Sequence, residues 1–148
     1  MSPAHQTVPT KKLFNDLQVL VVDNDRDSCY LYAVLLGNLG AIVTIANSIQ
    51  EALEVLKWLL PHIVICEMRF YGESIHTLIT KLRELESDRS SHIPTIAITA
   101  WVGDSLTQIL EANFESYLLK PIDLEQLVSL IRNFVFGRRK NPLLIAWG

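Results

Sequence analysis

Residues 19–28, from Val19 to Ser28, read VLVVDNDRDS: four aliphatic residues stop abruptly at an acidic and polar turn. A continuous aliphatic and β-branched run predicts a strand buried on both faces, which is typical of a parallel sheet. Parallel strands need long crossovers, and the residues from Ser28 onward fit a helix with Gly40 as its C-terminal stop. The stretch therefore predicts a strand–turn–helix unit of an α/β fold.

The same unit recurs along the chain. The predicted strands are residues 19–22, 41–46, 63–66, 95–99 and 116–119, and the predicted helices are residues 28–39, 49–60, 74–85, 105–112 and 123–136. Five strand–helix units with short connections predict parallel strands, right-handed crossovers and helices on both faces of the sheet. The expected fold class is a doubly wound α/β sheet.

The chain is 148 residues long, the length of one domain. We predict a flexible N-terminal tail over residues 1–16, a folded domain over residues 17–136 and a C-terminal extension over residues 137–148. The extension ends in the apolar run PLLIAWG. We expect this run to pack on the domain's own surface, with docking on a partner or on a second copy as the alternative.

The composition indicates the cellular compartment of the protein and which kinds of partner to expect. No apolar run reaches bilayer-spanning length and the N-terminus lacks an apolar secretory core, so we expect a cytoplasmic protein without membrane contact. The formal net charge is −3 and the basic run at residues 138–140 is short, which argues against nucleic acid as a partner. Cys29 and Cys66 lack metal-ligand spacing and are interpreted as buried thiols.

Polar side chains follow four of the five predicted strands. Asp23 and Asn24 follow the first strand and Glu67 follows the third. Thr99 closes the fourth strand, and Lys120 follows the fifth. Doubly wound sheets carry their sites at the carboxyl ends of the strands, so we expect these side chains to converge.

Each of these residues also has an ordinary structural explanation. Asp25 or Asp27 is suited to cap the first helix, and Thr99 is suited to pack in the core. Glu67 is suited to pair with Lys120, because a lysine at the end of a buried strand needs an anionic partner.

Four stretches resemble the signature motifs of response-regulator receiver domains: VLVVDNDRDS, HIVICEM, PTIAITA and SYLLKP. They occur in the family's order, and the resemblance covers residues 17–136. It implies a flavodoxin-like, five-stranded parallel sheet in the order 2-1-3-4-5 with five flanking helices. It also implies a two-component signalling domain, in which an aspartate after strand three accepts a phosphoryl group and binds magnesium together with an acidic pair after strand one.

The family's functional positions map onto this chain by motif. Asp23 and Asn24 fill the acidic pair, Glu67 the phosphoacceptor position, Thr99 and Lys120 the phosphoryl-contact positions, Tyr117 the switch-aromatic position, and Pro121 the position of a candidate cis proline.

Two of these positions depart from the family pattern. A glutamate at position 67 reaches about 1.5 Å further than an aspartate, one C–C bond, and in-line phosphoryl transfer depends on closer placement than that. Asn24 removes one charged magnesium ligand, leaving Asp23 and Glu67. We therefore predict a pseudo-receiver that is not phosphorylated, is not an enzyme, needs no cofactor and binds magnesium weakly or not at all.

Three other interpretations stay open. A receiver that remains competent for phosphorylation through Glu67 would share every motif. A small haloacid-dehalogenase-like phosphohydrolase would use Asp23 and Asp25, but the acidic motif expected after Lys120 is absent from the sequence. A flavin or nucleotide carrier would need a Ser/Thr/Gly-rich loop after strand one, where this chain is acidic.

The resemblance implies that the output is protein–protein contact. In the family, partners meet the face formed by the fourth helix, the fifth strand and the fifth helix. Here that face would carry Phe114, Tyr117 and Ile122, although Phe114 and Ile122 are equally suited to the core. The expected partners are a sensor kinase or another signalling protein, and a homodimer is a further candidate.

Overall fold

Strands and helices alternate along the chain in the computed structural model, which describes residues 12–89, 91–100 and 114–137. The strands are β1 (Gln18–Val22), β2 (Ile42–Ala46), β3 (Ile63–Glu67), β4 (Thr95–Thr99) and β5 (Ser116–Leu119). The α-helices are α1 (Arg26–Asn38), α2 (Ile49–Val55), α3 (Ile75–Arg89) and α4 (Leu124–Arg132). A π-helical turn, Asn133–Gly137, follows α4.

The five strands form one parallel sheet in the order β2-β1-β3-β4-β5. Val22 is in register with Ala46 on one side and with Cys66 on the other, and Thr99 is in register with Leu119. The carboxyl ends of the strands therefore lie together at one end of the sheet, as in a doubly wound fold. The predicted sheet and its strand order are confirmed.

The described helices differ from the prediction in length. The described part of the chain contains four α-helices, and the predicted helix over residues 105–112 lies outside it. Helix α2 ends at Val55 rather than at residue 60. Its last turn tightens as Trp58 N–H bonds to the Val55 carbonyl, and Leu60 is biased toward extended backbone because Pro61 follows it.

The two faces of the sheet carry separate apolar layers. On one face, Val19 and Val21 of β1 pack with residues of α1 and α4, such as Leu36 and Leu127. On the other face, Leu20 and its neighbours pack with residues of α2 and α3. Adjacent residues of β1 thus enter opposite layers, which explains why its sequence is aliphatic without alternation. Among the described residues, no helix is long and apolar enough to cross a bilayer.

A turn over residues 12–16 packs against the domain, although the sequence places it in the predicted tail. Phe14 is fully buried, its N–H donates to the Leu39 carbonyl at 2.8 Å, and its ring stacks on Phe136 with a centroid distance of 6.3 Å. Gly40 adopts a φ of 98°, and a Cβ there would lie 3.0 Å from the Cα of Asn15. The predicted flexible tail is therefore wrong for residues 12–16, because Phe14 completes the apolar layer; residues 1–11 lie outside the described residues.

Replacing Phe14 by alanine tests this packing. We expect Phe14→Ala to lower the free energy of unfolding by about 3–5 kcal/mol, the usual loss for a fully buried aromatic ring. Leu13→Ala is the matched control, because the neighbouring Leu13 side chain is exposed; it should cost less than about 1 kcal/mol. Urea denaturation measures both, and equal losses would contradict the packing of this turn.

Candidate functional site

Lys120 occupies the centre of the site, where it bridges two carboxylates. Its Nζ lies 2.9 Å from Glu67 Oε1 and 3.0 Å from Asp23 Oδ2. The lysine follows β5, Glu67 is the last residue of β3, and Asp23 directly follows β1. The parallel register brings these three strand ends together, so the predicted convergence of an acid after β1, an acid after β3 and the lysine is what the structure shows.

Asp23 is buried at the end of β1. Its Oδ1 accepts the Asp25 N–H at 2.9 Å, while its Oδ2 faces Lys120 without a well-directed hydrogen bond. The contact with Lys120 is therefore best described as an ion pair. A buried carboxylate is costly unless an opposite charge accompanies it, and Lys120 supplies that charge.

Both oxygens of Glu67 are engaged. Oε1 contacts Lys120, and Oε2 accepts the N–H groups of Met68 at 2.6 Å and Arg69 at 3.3 Å. The side chain thus turns back onto the loop that follows β3. This leaves the carboxylate fixed between a cation on one side and two backbone donors on the other.

The electrostatics of the site follow from these contacts. Burial lowers the pKa of Lys120, but contact with the Glu67 carboxylate and the negative charges of Glu67 and Asp23 outweigh that effect, so its pKa lies above the ordinary value. Lys120 is therefore charged at neutral pH, although only 19% of its side chain is exposed. Two carboxylates and one ammonium leave a formal charge of −1.

The residues after Asp23 hold two loops in place. Asn24 Nδ2 donates to the Arg69 carbonyl at 3.1 Å, which ties the loop after β1 to the loop after β3. Asp25 caps α1, as its carboxylate accepts the N–H groups of Asp27 and Ser28 and the Ser28 hydroxyl. The hydrogen bond from the Ser28 side chain is the main cause of a lowered pKa for Asp25. The capping role predicted for this acidic stretch is confirmed at Asp25.

The sequence matches the model of the response regulator receiver domain family over residues 19–132. This chain belongs to the response-regulator receiver domain family. Receiver domains are two-component signalling domains, and the family assignment made from the four motifs is confirmed.

Three known proteins illustrate the similarity. An uncharacterized 14.6 kDa protein from Leptolyngbya boryana is 34% identical over 119 residues, which cover 80% of this chain and 89% of that protein. The transcriptional regulatory protein ZraR of Klebsiella oxytoca is 31% identical over 113 residues, covering 75% of this chain but 24% of ZraR. The receiver domain of the Saccharomyces cerevisiae response regulator Ssk1, in co-crystals with the histidine phosphotransfer protein Ypd1, superposes with a TM-score of 0.73 at 20% identity, covering 84% of this chain and 92% of that one. This last likeness shows the fold alone.

The other residues predicted from the family motifs, Thr99, Tyr117 and Pro121, lie in or just after β4 and β5. Thr99 is buried at the end of β4, and its carbonyl accepts the Lys120 N–H at 2.8 Å. Tyr117 is exposed on β5. The peptide bond between Lys120 and Pro121 is cis. The roles predicted for Thr99 and Tyr117 in phosphoryl contact and switching stay predictions.

Two residues that support the site were missed from the sequence. Asn47 directly follows β2, and its Nδ2 donates to the Asp23 carbonyl at 3.0 Å. Glu73 lies in the loop after β3 and accepts the N–H groups of Ile49 and Gln50 at 3.0 and 2.9 Å, at the start of α2. Asn47 could have been found as the polar residue after the second strand, whereas no sequence signal points from Glu73 to α2.

The two thiols lie close to the carboxylates but are not reactive groups. Burial, followed by the charges of Asp23 and Asp25, raises the pKa of Cys29 to about 11. Burial likewise raises the pKa of Cys66. Both residues are therefore thiols rather than thiolates at neutral pH, consistent with their interpretation as core residues.

A double-mutant cycle tests the coupling of Lys120 to Glu67. Lys120→Met leaves two buried carboxylates without a counter-charge, so we expect a loss of about 3–5 kcal/mol in the free energy of unfolding. The double variant Lys120→Met/Glu67→Gln should recover part of that loss, and chemical denaturation of all four proteins measures it. Additive losses would show that the two residues are not coupled.

A second cycle within the same chain provides the control. Glu54 of α2 and Lys57, which follows the end of that helix, form an exposed ion pair at 3.0 Å. The cycle of Lys57→Met with Glu54→Gln should give a coupling energy of at most about 0.5 kcal/mol. A coupling as large as that between Lys120 and Glu67 would mean that burial is not the cause of the difference.

Proposed function

We propose that this chain acts as a pseudo-receiver, a single-domain response-regulator-like signalling protein that works through protein contacts without phosphorylation of residue 67. The observation that carries the proposal is the engagement of Glu67. One of its oxygens contacts Lys120 and the other accepts two backbone N–H groups. Both oxygens of this carboxylate are therefore held by partners within the protein.

The chemistry of glutamate supports the same conclusion. Attack on phosphorus requires near-linear placement of the attacking oxygen, the phosphorus and the leaving oxygen. The longer glutamate side chain turns back, so that its Oε2 accepts the Met68 and Arg69 N–H groups. To attack through Oε1, Glu67 would have to give up the Lys120 ion pair, and to attack through Oε2 it would have to give up both backbone hydrogen bonds.

The carboxylate of Glu67 carries a permanent negative charge, smaller than that of a phosphorylated aspartate. It brings one negative charge to Lys120, where an aspartyl phosphate would bring about two and more acceptor oxygens. The charge is sufficient to hold Lys120 inside the pocket. The lysine is therefore engaged continuously rather than in response to a kinase.

The same contacts fit a magnesium ion poorly. Magnesium requires octahedral oxygen ligands at close range, but Oδ2 of Asp23 and Oε1 of Glu67 both face the Lys120 ammonium. Asn24 turns its amide nitrogen toward the Arg69 carbonyl. In the described ranges, no three side chains of His, Cys, Asp and Glu form a group suited to a metal ion. We propose that the pocket uses Lys120 in place of the metal.

Signalling would then depend on a protein-binding face. Tyr117 and Leu119 of β5 are both exposed. Phe114 is buried, and Ile122 packs against the core, so these two contribute less to that face. A receiver domain of this fold, that of Ssk1, is known in a co-crystal with the phosphotransfer protein Ypd1, which supports a signalling protein as partner.

Treatment with a small phosphodonor tests the central proposal. We expect acetyl phosphate with magnesium to leave the intact mass of the chain unchanged, because Glu67 is held by Lys120 and two N–H groups. Mass spectrometry of the whole protein makes the measurement. A gain of one base-labile phosphoryl group mapping to Glu67 would overturn the proposal in favour of a competent receiver.

The double variant Glu67→Asp/Asn24→Asp is the matched positive control. It restores the aspartate and the second acid of the family pattern, so we expect it to gain a phosphoryl group under the same conditions. Thr99→Ala in that background should reduce the labelling if the hydroxyl contacts the phosphoryl oxygens as the family pattern implies.

Magnesium titration makes a separate prediction. We expect millimolar magnesium to change the melting temperature of the wild-type chain by less than about 1 °C, because a ligand stabilises only what it binds. The variant Glu67→Asp/Asn24→Asp should show a larger rise. A rise of several degrees in the wild type that disappears in Asp23→Ala would show specific binding at this pocket.

A further inference from the structure

The outer edge of β2 lacks the features that usually protect the edge of a sheet. Among the described residues β2 pairs with β1 alone, so its other side is an edge. Its sequence, IVTIA, has neither a charge nor a proline, and the Ile42 and Ile45 side chains are 46% and 37% exposed. Natural edges are normally protected by charges, prolines or bulges. This edge is therefore suited to pair with another strand.

The main-chain groups that face this edge follow from the pairing of β2 with β1. Ile42 N–H donates to the Leu17 carbonyl at 2.7 Å, so the main chain of residue 42 faces β1. Alternate residues of a parallel strand bond to the same neighbour. Residues 42, 44 and 46 therefore face β1, and the N–H and C=O groups of Val43 and Ile45 face outward.

The amides on either side of this stretch are bonded within the chain. Ala41 N–H donates to the Leu36 carbonyl at 3.0 Å. After the strand, Asn47 N–H donates to Glu51 Oε1 at 2.8 Å. Within residues 41–47, the amides that face outward toward a new strand are therefore those of residues 43 and 45.

Opposite charges lie at the two ends of β2. A Cβ at Gly40 would lie 3.0 Å from the Lys12 Cβ, so Lys12 lies beside the start of the strand. Glu51 lies beside its end, through the hydrogen bond to Asn47. Both charged residues are exposed. In an antiparallel pair of two copies, the start of each strand meets the end of the other, so charges of opposite sign come together; a parallel pair would bring like charges together.

We propose that two copies of this chain pair through β2 as antiparallel strands, about a twofold axis at Thr44. Val43 of each copy would exchange both main-chain hydrogen bonds with Ile45 of the partner subunit, which satisfies the outward groups of both strands. Thr44 would lie opposite its own equivalent. A closed twofold pair of this kind leaves no free β2 edge on either copy.

Helix α1 extends the contact beyond the two strands. It packs on β2, and its residues Tyr30, Leu31 and Val34 are exposed. A stable protein–protein interface buries about 1,200 Å² or more, which is more than two short paired strands supply. The twofold axis places the α1 helices of both copies on the same face of the joined sheet, beside the paired strands. Strand β5 forms the opposite edge of the sheet, so the face proposed for signalling stays open in this dimer.

Cysteine trapping in the full chain tests the pairing and its register. Thr44→Cys would place two thiols opposite each other in a non-hydrogen-bonded antiparallel pair, where Cα atoms lie about 4.5 Å apart, within the reach of a disulfide. We expect mild oxidation to give a covalent dimer on a non-reducing gel. The native Cys29 and Cys66 are buried and should not contribute.

Ile42→Cys is the matched control for the register. Residues 42 and 44 lie on the same face of the strand. Ile42 would meet Ala46 of the partner subunit rather than its own equivalent, so we expect Ile42→Cys to give little covalent dimer. Equal crosslinking by Ile42→Cys and Thr44→Cys would overturn the register that we propose.

The unmodified chain provides an independent measurement. We expect sedimentation to show a monomer–dimer equilibrium, and exchange of the Val43 and Ile45 amides to slow as the protein concentration rises. The Thr44 amide faces β1 and should stay protected at every concentration. Ile45→Lys should weaken the dimer at least about tenfold, because a charge on an edge strand opposes pairing. Leu119→Lys, on the opposite edge of the sheet, should leave it unchanged.

Other outcomes would contradict the dimer. A monomer at every concentration with rapid exchange of Val43 and Ile45 would show that the edge has no partner. A monomer in which these two amides are protected would show that the chain covers its own edge. A dimer that Leu119→Lys dissociates, or that Thr44→Cys does not crosslink, would use another surface. Each of these results would overturn the proposal.

Discussion

The contact of one ammonium group with two carboxylates determines how the carboxyl ends of the strands are arranged. Asp23 and Glu67 are carried by different strands, and both are buried where an isolated charge would be costly. Lys120 approaches both within 3.0 Å, so β1, β3 and β5 are tied at their carboxyl ends by a single side chain. This contact therefore also fixes where the loops that follow these strands begin. Asn24 and the Met68 and Arg69 N–H groups then fasten the same loops to one another.

The central architecture of the protein could be predicted from its sequence because each strand carries a strong and simple signal. β1 and β3 are continuous aliphatic runs that enter two apolar layers, and each stops at a carboxylate. A buried strand that ends in a charged residue places that charge at the carboxyl end of the sheet. Parallel pairing then places Asp23, Glu67 and Lys120 at the same end of the sheet. The family resemblance added the strand order, which strand patterns by themselves leave open.

Other features depended on contacts that local patterns do not contain. Phe14 stands in a polar stretch with prolines nearby, and its burial depends on Leu39, Gly40 and Phe136, all distant in sequence. Helix α2 ended earlier than its apolar pattern suggested, because tight turns after Val55 compete with helical hydrogen bonds when Pro61 follows. Glu73 caps a helix that precedes it by more than twenty residues. The direction in which Glu67 folds back was also beyond prediction, because it depends on which backbone N–H groups the next loop presents.

The stacking of Phe14 on Phe136 determines where a fusion partner or a label can be attached to this protein. It brings the first and last described segments of the chain together at the end of the sheet where the strands begin. Lys120 and its carboxylates lie at the opposite end. The described chain thus enters and leaves on the side away from the pocket. A fluorescent protein or an affinity label joined before residue 12 would be attached there, so the pocket surface stays available for measurement of binding.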